Sequence, residues 1–348
     1  MAKVLYAVMG NTYGHIMRTQ SILARWKGHE FYIVGGGRVP EAFSKTHSVL
    51  EVPVLRTVHR KQSVAVGAIL SQIAQRVAEL PRVMRQIRSL IETWQPDLAI
   101  CDREFFTPLA CQMAGLQCIS VDHSHVLIDC RYTVPPDQWL SWSLATLNDR
   151  LLFNWTHLHA IVSFFHPSLT YPQARLFGPV LRQRVLAMTP QHGDHILVYQ
   201  TSPTFTQLID TLHKLKRPSI VYGFKKEYAR SGPVTFKPYD THAILEDLAS
   251  CAYAIVNGGH NLISEALFLR KPLLCFPIAN LFEQFINSYH VRELGYGDYS
   301  TSKNPTPALF ENFERRLDLF QEKLQYVLPD STDELVAYLQ SFLPILTR

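Results

Sequence analysis

The chain has 348 residues, 47% of them hydrophobic and 18% charged, and a formal net charge of +5. This is the composition of a globular protein with room for two domains, and it excludes a disordered chain. No apolar run approaches the roughly 18–20 residues of a membrane span. Six cysteines without a Cys-x-x-Cys pair favour neither a disulfide framework nor a zinc ribbon. With no signal-like apolar segment after Met1-Ala2-Lys3, a cytoplasmic location is expected. Residues 1–180 carry 17 Lys/Arg against 12 Asp/Glu, and residues 181–348 carry 17 of each. A basic surplus on one half suits an acidic partner such as an anionic membrane surface. No basic run is interleaved with aromatics, so nucleic acid is not an expected partner.

In chain order, Lys3–Val8 reads as a buried strand that runs through Met9-Gly10-Asn11-Thr12-Tyr13-Gly14-His15 into a helix carrying Ile16, Ile22, Leu23 and Trp26. No Gly-x-Gly-x-x-Gly is present, which disfavours NAD. His15 stands at the helix mouth, in the crevice outside a strand end. It is read either as a capping histidine or as an acid–base group. Phe31–Val34 is the second strand, with Gly35-Gly36-Gly37 as its exit, and Val49–Val54 the third. From about 66 to 93 a helical pattern is broken by Pro81. Arg82, Arg85 and Arg88 lie along one flank of it, a solvated face or a membrane-surface contact.

Leu98–Asp102 is a strand ending in an acid. If it neighbours the first strand, Asp102 faces the crevice of His15 and can orient its ring; the alternative is a cap for the next helix. Cys118–Val121 exits into Asp122-His123-Ser124-His125. Two histidines two apart lack a third ligand at a fitting spacing, so no metal is expected, and His123 and His125 are placed on the acceptor side of a cleft. Trp139–Phe153 reads as a helix and His159–Phe164 as the last strand of the first domain. The boundary falls near Phe177-Gly178-Pro179-Val180-Leu181-Arg182.

A second α/β series begins at His195–Tyr199, with Gln200-Thr201-Ser202-Pro203 as its exit, and continues at Ser219–Phe224, where Phe224 after Gly223 can meet a base. Tyr253–Val256 then leads through Asn257-Gly258-Gly259-His260-Asn261 into a helix containing Ser264-Glu265. Such a turn presents backbone N–H groups and a helix N-terminus, which suits a diphosphate. Glu265, one turn beyond Asn261, suits ribose hydroxyls. Lys271–Pro277 is the next strand, and Glu283-Gln284-Phe285-Ile286-Asn287 opens the helix after it. Pro307–Val327 and Thr332–Phe342 read as two amphipathic helices.

The stretch from Asn257 to Gln284 resembles the donor-binding signature of GT-B glycosyltransferases, the group of the UDP-glycosyltransferases and the lipid II-forming N-acetylglucosaminyltransferase. Asn261 and Glu265 match the Asn and Glu of that signature, and Glu283-Gln284 its closing pair. The signature's leading His is Asn257 here, which shifts diphosphate binding toward the backbone of Gly258 and Gly259. The Gly178-Pro179 junction resembles a little-characterised bacterial and archaeal branch of the group. The resemblance implies an α/β fold of GT-B type, two Rossmann-like domains facing across a cleft, with a last helix returning to the first domain. The expected spans are 1–185 for the acceptor domain, 190–330 for the nucleotide-sugar domain and 331–348 for the returning helix. It further implies His15 as general base beside Gly14, Asp102 as its partner, and Thr201 and Ser202 near the phosphates. The expected activity is inverting, metal-independent transfer of a hexose-type sugar from a nucleotide-sugar, with UDP as the nucleotide. Beyond this donor no cofactor is expected. The acceptor is left open, a lipid-linked one with peripheral membrane contact included. Rival readings are a UDP-N-acetylglucosamine 2-epimerase-like enzyme and a catalytically silent binding protein.

Overall fold

The computed structural model describes residues 1–54, 59–60, 63–64, 66–201, 204–225, 227–327 and 329–344; for 59–60, 63–64 and 66–77 it describes the backbone. The chain divides into two compact units, one of Met1–Val58, Ala65–Arg182 and Asp330–Arg348, the other of His59–Val64 and Gln183–Pro329.

The first unit is built on a seven-stranded parallel sheet. Its strands are β1 (Lys3–Val8), β2 (Glu30–Val34), β3 (Ser48–Leu50), β4 (Leu98–Asp102), β5 (Cys118–Asp122), β6 (Leu158–Val162) and β7 (Ala174–Phe177), in spatial order β7-β6-β5-β4-β1-β2-β3. The inner strands are apolar on both faces because helices cover both. Val4, Tyr6, Val8, Ile100 and Ile119 belong to the core on one side, and Leu5, Ala7, Ala99 and Cys101 to the core on the other. Helices α1 (Tyr13–Arg25), α2 (Val66–Trp94), α3 (Phe106–Ala114) and α4 (Trp139–Leu152) connect the strands. Helix α2 runs through Pro81 without a break, against the expected interruption. Proline removes one ladder donor, but Val83, Ile87 and Ile91, four apart, still bury their side chains in the core. Strand β7 was not expected either: Leu158–Val162 is not the last strand, because the short Ala174–Phe177 pairs with it in parallel at the sheet edge.

The second unit repeats the plan. Strands β8 (Ile196–Tyr199), β9 (Ser219–Tyr222), β10 (Ala229–Ser231), β11 (Val234–Lys237), β12 (Tyr253–Val256), β13 (Leu273–Cys275) and β14 (Gly297–Tyr299) lie in the order β10-β11-β9-β8-β12-β13-β14. All pairs are parallel except β10 with β11. Helices α5 (His260–Phe268) and α6 (Phe282–Glu293) follow β12 and β13. The segment expected to be one helix from Pro307 is two, Pro307–Glu314 and Leu317–Lys323; Phe310, Phe313 and Phe320 from both enter the core.

The last helix, α7 (Thr332–Gln340), packs back on the first unit: Leu335, Val336 and Leu339 join Ile22 and Trp26 in its core. Asp330 fastens this return. It accepts a hydrogen bond from the Leu181 amide at 2.9 Å and pairs with Arg25.

Candidate functional site

Each sheet has one place where the strand order reverses. In the first unit the chain leaves β1 toward β2 and β3, then crosses to β4 on the other side. In the second it leaves β8 toward β9 and β11, then crosses to β12. Ligands of open α/β sheets bind outside the strand ends at such reversals.

At the first reversal Val8 pairs with Asp102, so the end of β4 lies beside the start of α1. His15, in the first turn of α1, places Nδ1 2.7 Å from Asp102 Oδ1. Arg18, one turn further on, donates from Nε to Oδ2 at 2.8 Å and from Nη2 to Oδ1 at 2.7 Å. Asp102 is fully buried and Arg18 nearly so, whereas the His15 side chain keeps 20% of its surface exposed. Burial pushes the Asp102 carboxyl up, but Arg18 and then His15 outweigh it and hold it below the ordinary carboxylate value. An ionised Asp102 accepts N–H from His15 Nδ1, which leaves the Nε2 lone pair on the opposite edge of the ring. The 3.1 Å approach of Arg18 Nη2 to His15 Nδ1 follows from both groups converging on one carboxylate oxygen.

The competing role for Asp102 as a helix cap is filled by its neighbour. Glu104 accepts from the Phe106 and Thr107 amides at 3.0 and 2.6 Å. Between the two acids Arg103 adopts φ 59°, a left-handed conformation costly for a non-glycine residue. Its guanidinium is clamped on Asp149 at 2.8 and 3.2 Å. Gly14 precedes His15 in the same turn. His123 and His125 are both buried. His123 Nδ1 lies 2.8 Å from the Val162 carbonyl, and His125 Nδ1 2.8 Å from Asp122.

At the second reversal the Asn257 side chain ties three strand ends together. Its oxygen accepts from the Thr201 amide at 2.7 Å and hydroxyl at 3.2 Å; its nitrogen donates to Gln200 Oε1 at 2.6 Å and the Phe276 carbonyl at 3.1 Å. Both amide hydrogens are therefore engaged within the protein. Gly258 sits at φ +100°, and a Cβ there would lie 2.5 Å from the Gln284 carbonyl and 2.6 Å from Ser288 Oγ; only glycine lets α6 approach so closely. Gly259, the N-cap of α5, is exposed, and a Cβ on it would meet nothing within 4 Å among the described residues. Asn261 and Glu265 lie in the first two turns of α5, Asn261 half-buried and Glu265 buried. Gln284 accepts from the Ile278 amide at 3.0 Å, and Glu283 beside it is half-buried. Phe224 packs on the edge of the second core. Ser202 lies outside the described residues.

Two residues of these clusters escape a reading by motif. Arg18 is signalled only by its place three residues after His15, on the same helix face. Asn287, which donates to the Gly258 carbonyl at 3.0 Å, is signalled by its place three residues after Gln284.

Two sheets, parallel but for one edge strand of the second, with reversals of this kind are the architecture of GT-B glycosyltransferases, and solved members of that class share the fold over nearly the whole chain. The kitacinnamycin glycotransferase is 14% identical, with 98% of this chain and 99% of that one covered and a TM-score of 0.68. The calicheamicin glycosyltransferase CalG4 is 15% identical, with both chains fully covered and a TM-score of 0.65. MurG of Acinetobacter baumannii is 12% identical, with 98% and 100% covered and a TM-score of 0.61. The chain belongs to glycosyl transferase family 1, whose sequence model matches residues 2–318. No curated protein sequence matches it.

Proposed function

We propose that this glycosyltransferase moves a hexose-type sugar from a nucleotide-sugar, UDP by preference, to an acceptor hydroxyl with inversion. The observation that carries the reading is the His15–Asp102–Arg18 cluster at the first sheet reversal. His15 Nε2 takes the acceptor's proton as the acceptor oxygen bonds to the anomeric carbon. The bond from that carbon to the diphosphate oxygen breaks on the opposite side, and the nucleotide leaves. Asp102 stabilises the imidazolium, and Arg18 holds Asp102 ionised and immobile. The departing diphosphate meets the exposed Gly259 turn and the N-terminus of α5. Glu265 and Asn261 serve the donor's ribose, and Gln284 its hexose. A related structure, UGT2 of Phytolacca americana, was solved with UDP-2-fluoro-glucose, which supports a UDP-sugar donor.

A lipid-linked acceptor is favoured by one further observation. No helix among the described residues is long and apolar enough to cross a membrane. Helix α4, however, exposes Trp139, Leu140, Leu144, Leu147 and Leu151, a stripe at helical spacing. Arg82, Arg85 and Arg88 of α2 are also exposed. An apolar stripe and cationic side chains on one unit suit the surface of an anionic bilayer. Incubation with a panel of UDP-sugars and generic acceptors, read as free UDP and as the product's anomeric configuration, tests the central claim. Retention of the donor's configuration, or an epimerised sugar without UDP release, would overturn it.

A further inference from the structure

We propose that His125, Asp129 and His159 form a binding site for one divalent transition-metal ion, zinc above the others, separate from the His15–Asp102 pair. One atom from each of the three lies within 4.8 Å of the others, and all three residues are buried. The spacing of Asp122-His123-Ser124-His125 offers no third ligand, but the fold supplies two. Asp129 ends the short turn after β5, and His159 lies on β6 directly beside Ser120 of β5.

The hydrogen bonds around the three residues sort their lone pairs. His125 Nδ1 faces Asp122 Oδ2 at 2.8 Å and Ser120 Oγ at 3.2 Å. It is therefore the protonated nitrogen, and Nε2 carries the lone pair. That Nε2 is buried and has no hydrogen-bond partner among the described residues, a costly state for a polar atom. His159 Nε2 lies 3.0 Å from the Thr156 carbonyl and Nδ1 2.7 Å from Asp129 Oδ2. A neutral His159 donating to Thr156 turns its remaining lone pair toward the Asp129 carboxylate. With both rings neutral in these tautomers, two lone pairs and a carboxylate converge with no proton among them, and a cation satisfies all three.

The opposite assignment, with both rings protonated, neutralises Asp122 and Asp129. It leaves the His125 Nε2–H buried without an acceptor. With both rings neutral, the two carboxylates leave a charge of −2, which one divalent ion cancels. Imidazole nitrogens held from behind by a carboxylate and by a backbone carbonyl are the usual outer-shell arrangement of a metal-ligating histidine. Two such nitrogens and one carboxylate oxygen are a donor set suited to zinc rather than to magnesium or calcium. A pocket of about 330 Å³ lined by Asn154, Trp155, Thr156 and Tyr171 reaches Asp129 and His159. It provides an entry path and room for a water as fourth ligand.

The test uses the full chain, stripped of metal by a chelator and titrated with Zn²⁺ alone. One ion per chain is expected, with a rise in Tm; Mg²⁺ and Ca²⁺ should do neither. His125→Gln and Asp129→Asn should abolish one-to-one binding. Asp122→Asn, which changes the partner of His125 Nδ1 and leaves the three ligands in place, should weaken it about 10–100-fold. In crystals of the zinc-loaded wild-type protein, anomalous scattering at the zinc edge should place the ion between the three side chains, whether or not the variants fold. No stoichiometric binding, an anomalous peak elsewhere, preference for Mg²⁺ or Ca²⁺, or full zinc affinity in a folded His125→Gln would each overturn the proposal.

Discussion

The two sheet reversals have the same local sequence plan, a buried strand feeding a helix through small residues, yet they are finished with different chemistry. The first is closed by ions: Asp102 and Arg18 are buried and hydrogen-bonded to each other, and Asp102 also accepts from His15. The second is closed by a neutral amide, Asn257, whose four contacts all stay within the protein. The difference teaches what each can offer a substrate. A buried ion pair can hold a base in one tautomer and one orientation. A neutral amide that ties strand ends together leaves recognition to backbone N–H groups and a helix N-terminus, a matched environment for a diphosphate.

The harshest way to break this contrast is His15→Ala. It should lower the transfer rate by roughly 10²–10⁴, the span for a lost general base, with nucleotide affinity nearly unchanged in calorimetry. The double variant with Asp102→Asn should be little worse than His15→Ala alone, because the two act as a unit. Transfer at near wild-type rate would remove His15 from the chemistry.

Next in size is Arg18→Met, which leaves a buried carboxylate without its partner. Loss of about 3–5 kcal/mol of stability is expected, read from urea unfolding at neutral pH. The sign follows from the lowered carboxyl of Asp102. Its contribution is present above the ordinary carboxylate pKa of about 3.9 and is lost as pH falls through the lower folded value. Wild type and Arg18→Met should therefore converge in stability in acid below about pH 4. A gap that persists there would mean that Arg18 acts through packing alone.

At the second reversal, Glu265→Ala should weaken UDP binding by about 1.5–3 kcal/mol, the range for a hydrogen bond to a charged group; unchanged affinity would take Glu265 out of the site. Two glycines sharpen the point. Gly258→Ala should cost about 1–3 kcal/mol of stability through its positive φ and the clash with α6. Gly259→Ala, with open space at its Cβ, should stay within about 0.5 kcal/mol of wild type yet weaken UDP binding. Equal affinity in Gly259→Ala would place the diphosphate elsewhere.

The smallest effect concerns the surface. The protein should sediment with anionic vesicles at low salt and come off at high salt. Arg85→Ser should reduce that affinity by about 1 kcal/mol. Failure to co-sediment at any salt would favour a soluble acceptor.

Much of this was legible in the sequence because it is written locally. Runs such as Val4–Val8 and Tyr253–Val256 are apolar on both faces, so they announce strands of a covered parallel sheet. The Asn257–Glu265 stretch carries its chemistry within three helical turns. Where the signal was weak, the reading failed for identifiable reasons. Ala174–Phe177 is four residues long and interrupted by Arg175, too short for periodicity to mark as a strand. Pro81 reads as a break, but an inner face of Val83, Ile87 and Ile91 already anchored in the core keeps α2 continuous.

The sequence by itself determined most of the central strands, the family, and the residue types at both strand–helix turns, because these depend on neighbours within a few positions. Only the tertiary structure decided which side chains share a charge. Strand pairing sets Val8 against Asp102, and with it His15 and Arg18 against a carboxylate far along the chain. It likewise draws His125 and Asp129 to His159 through the pairing of β5 with β6. Coulomb interactions and hydrogen bonds depend on distance in space. A separation of 84 residues between Arg18 and Asp102 says nothing of it until the sheet has formed.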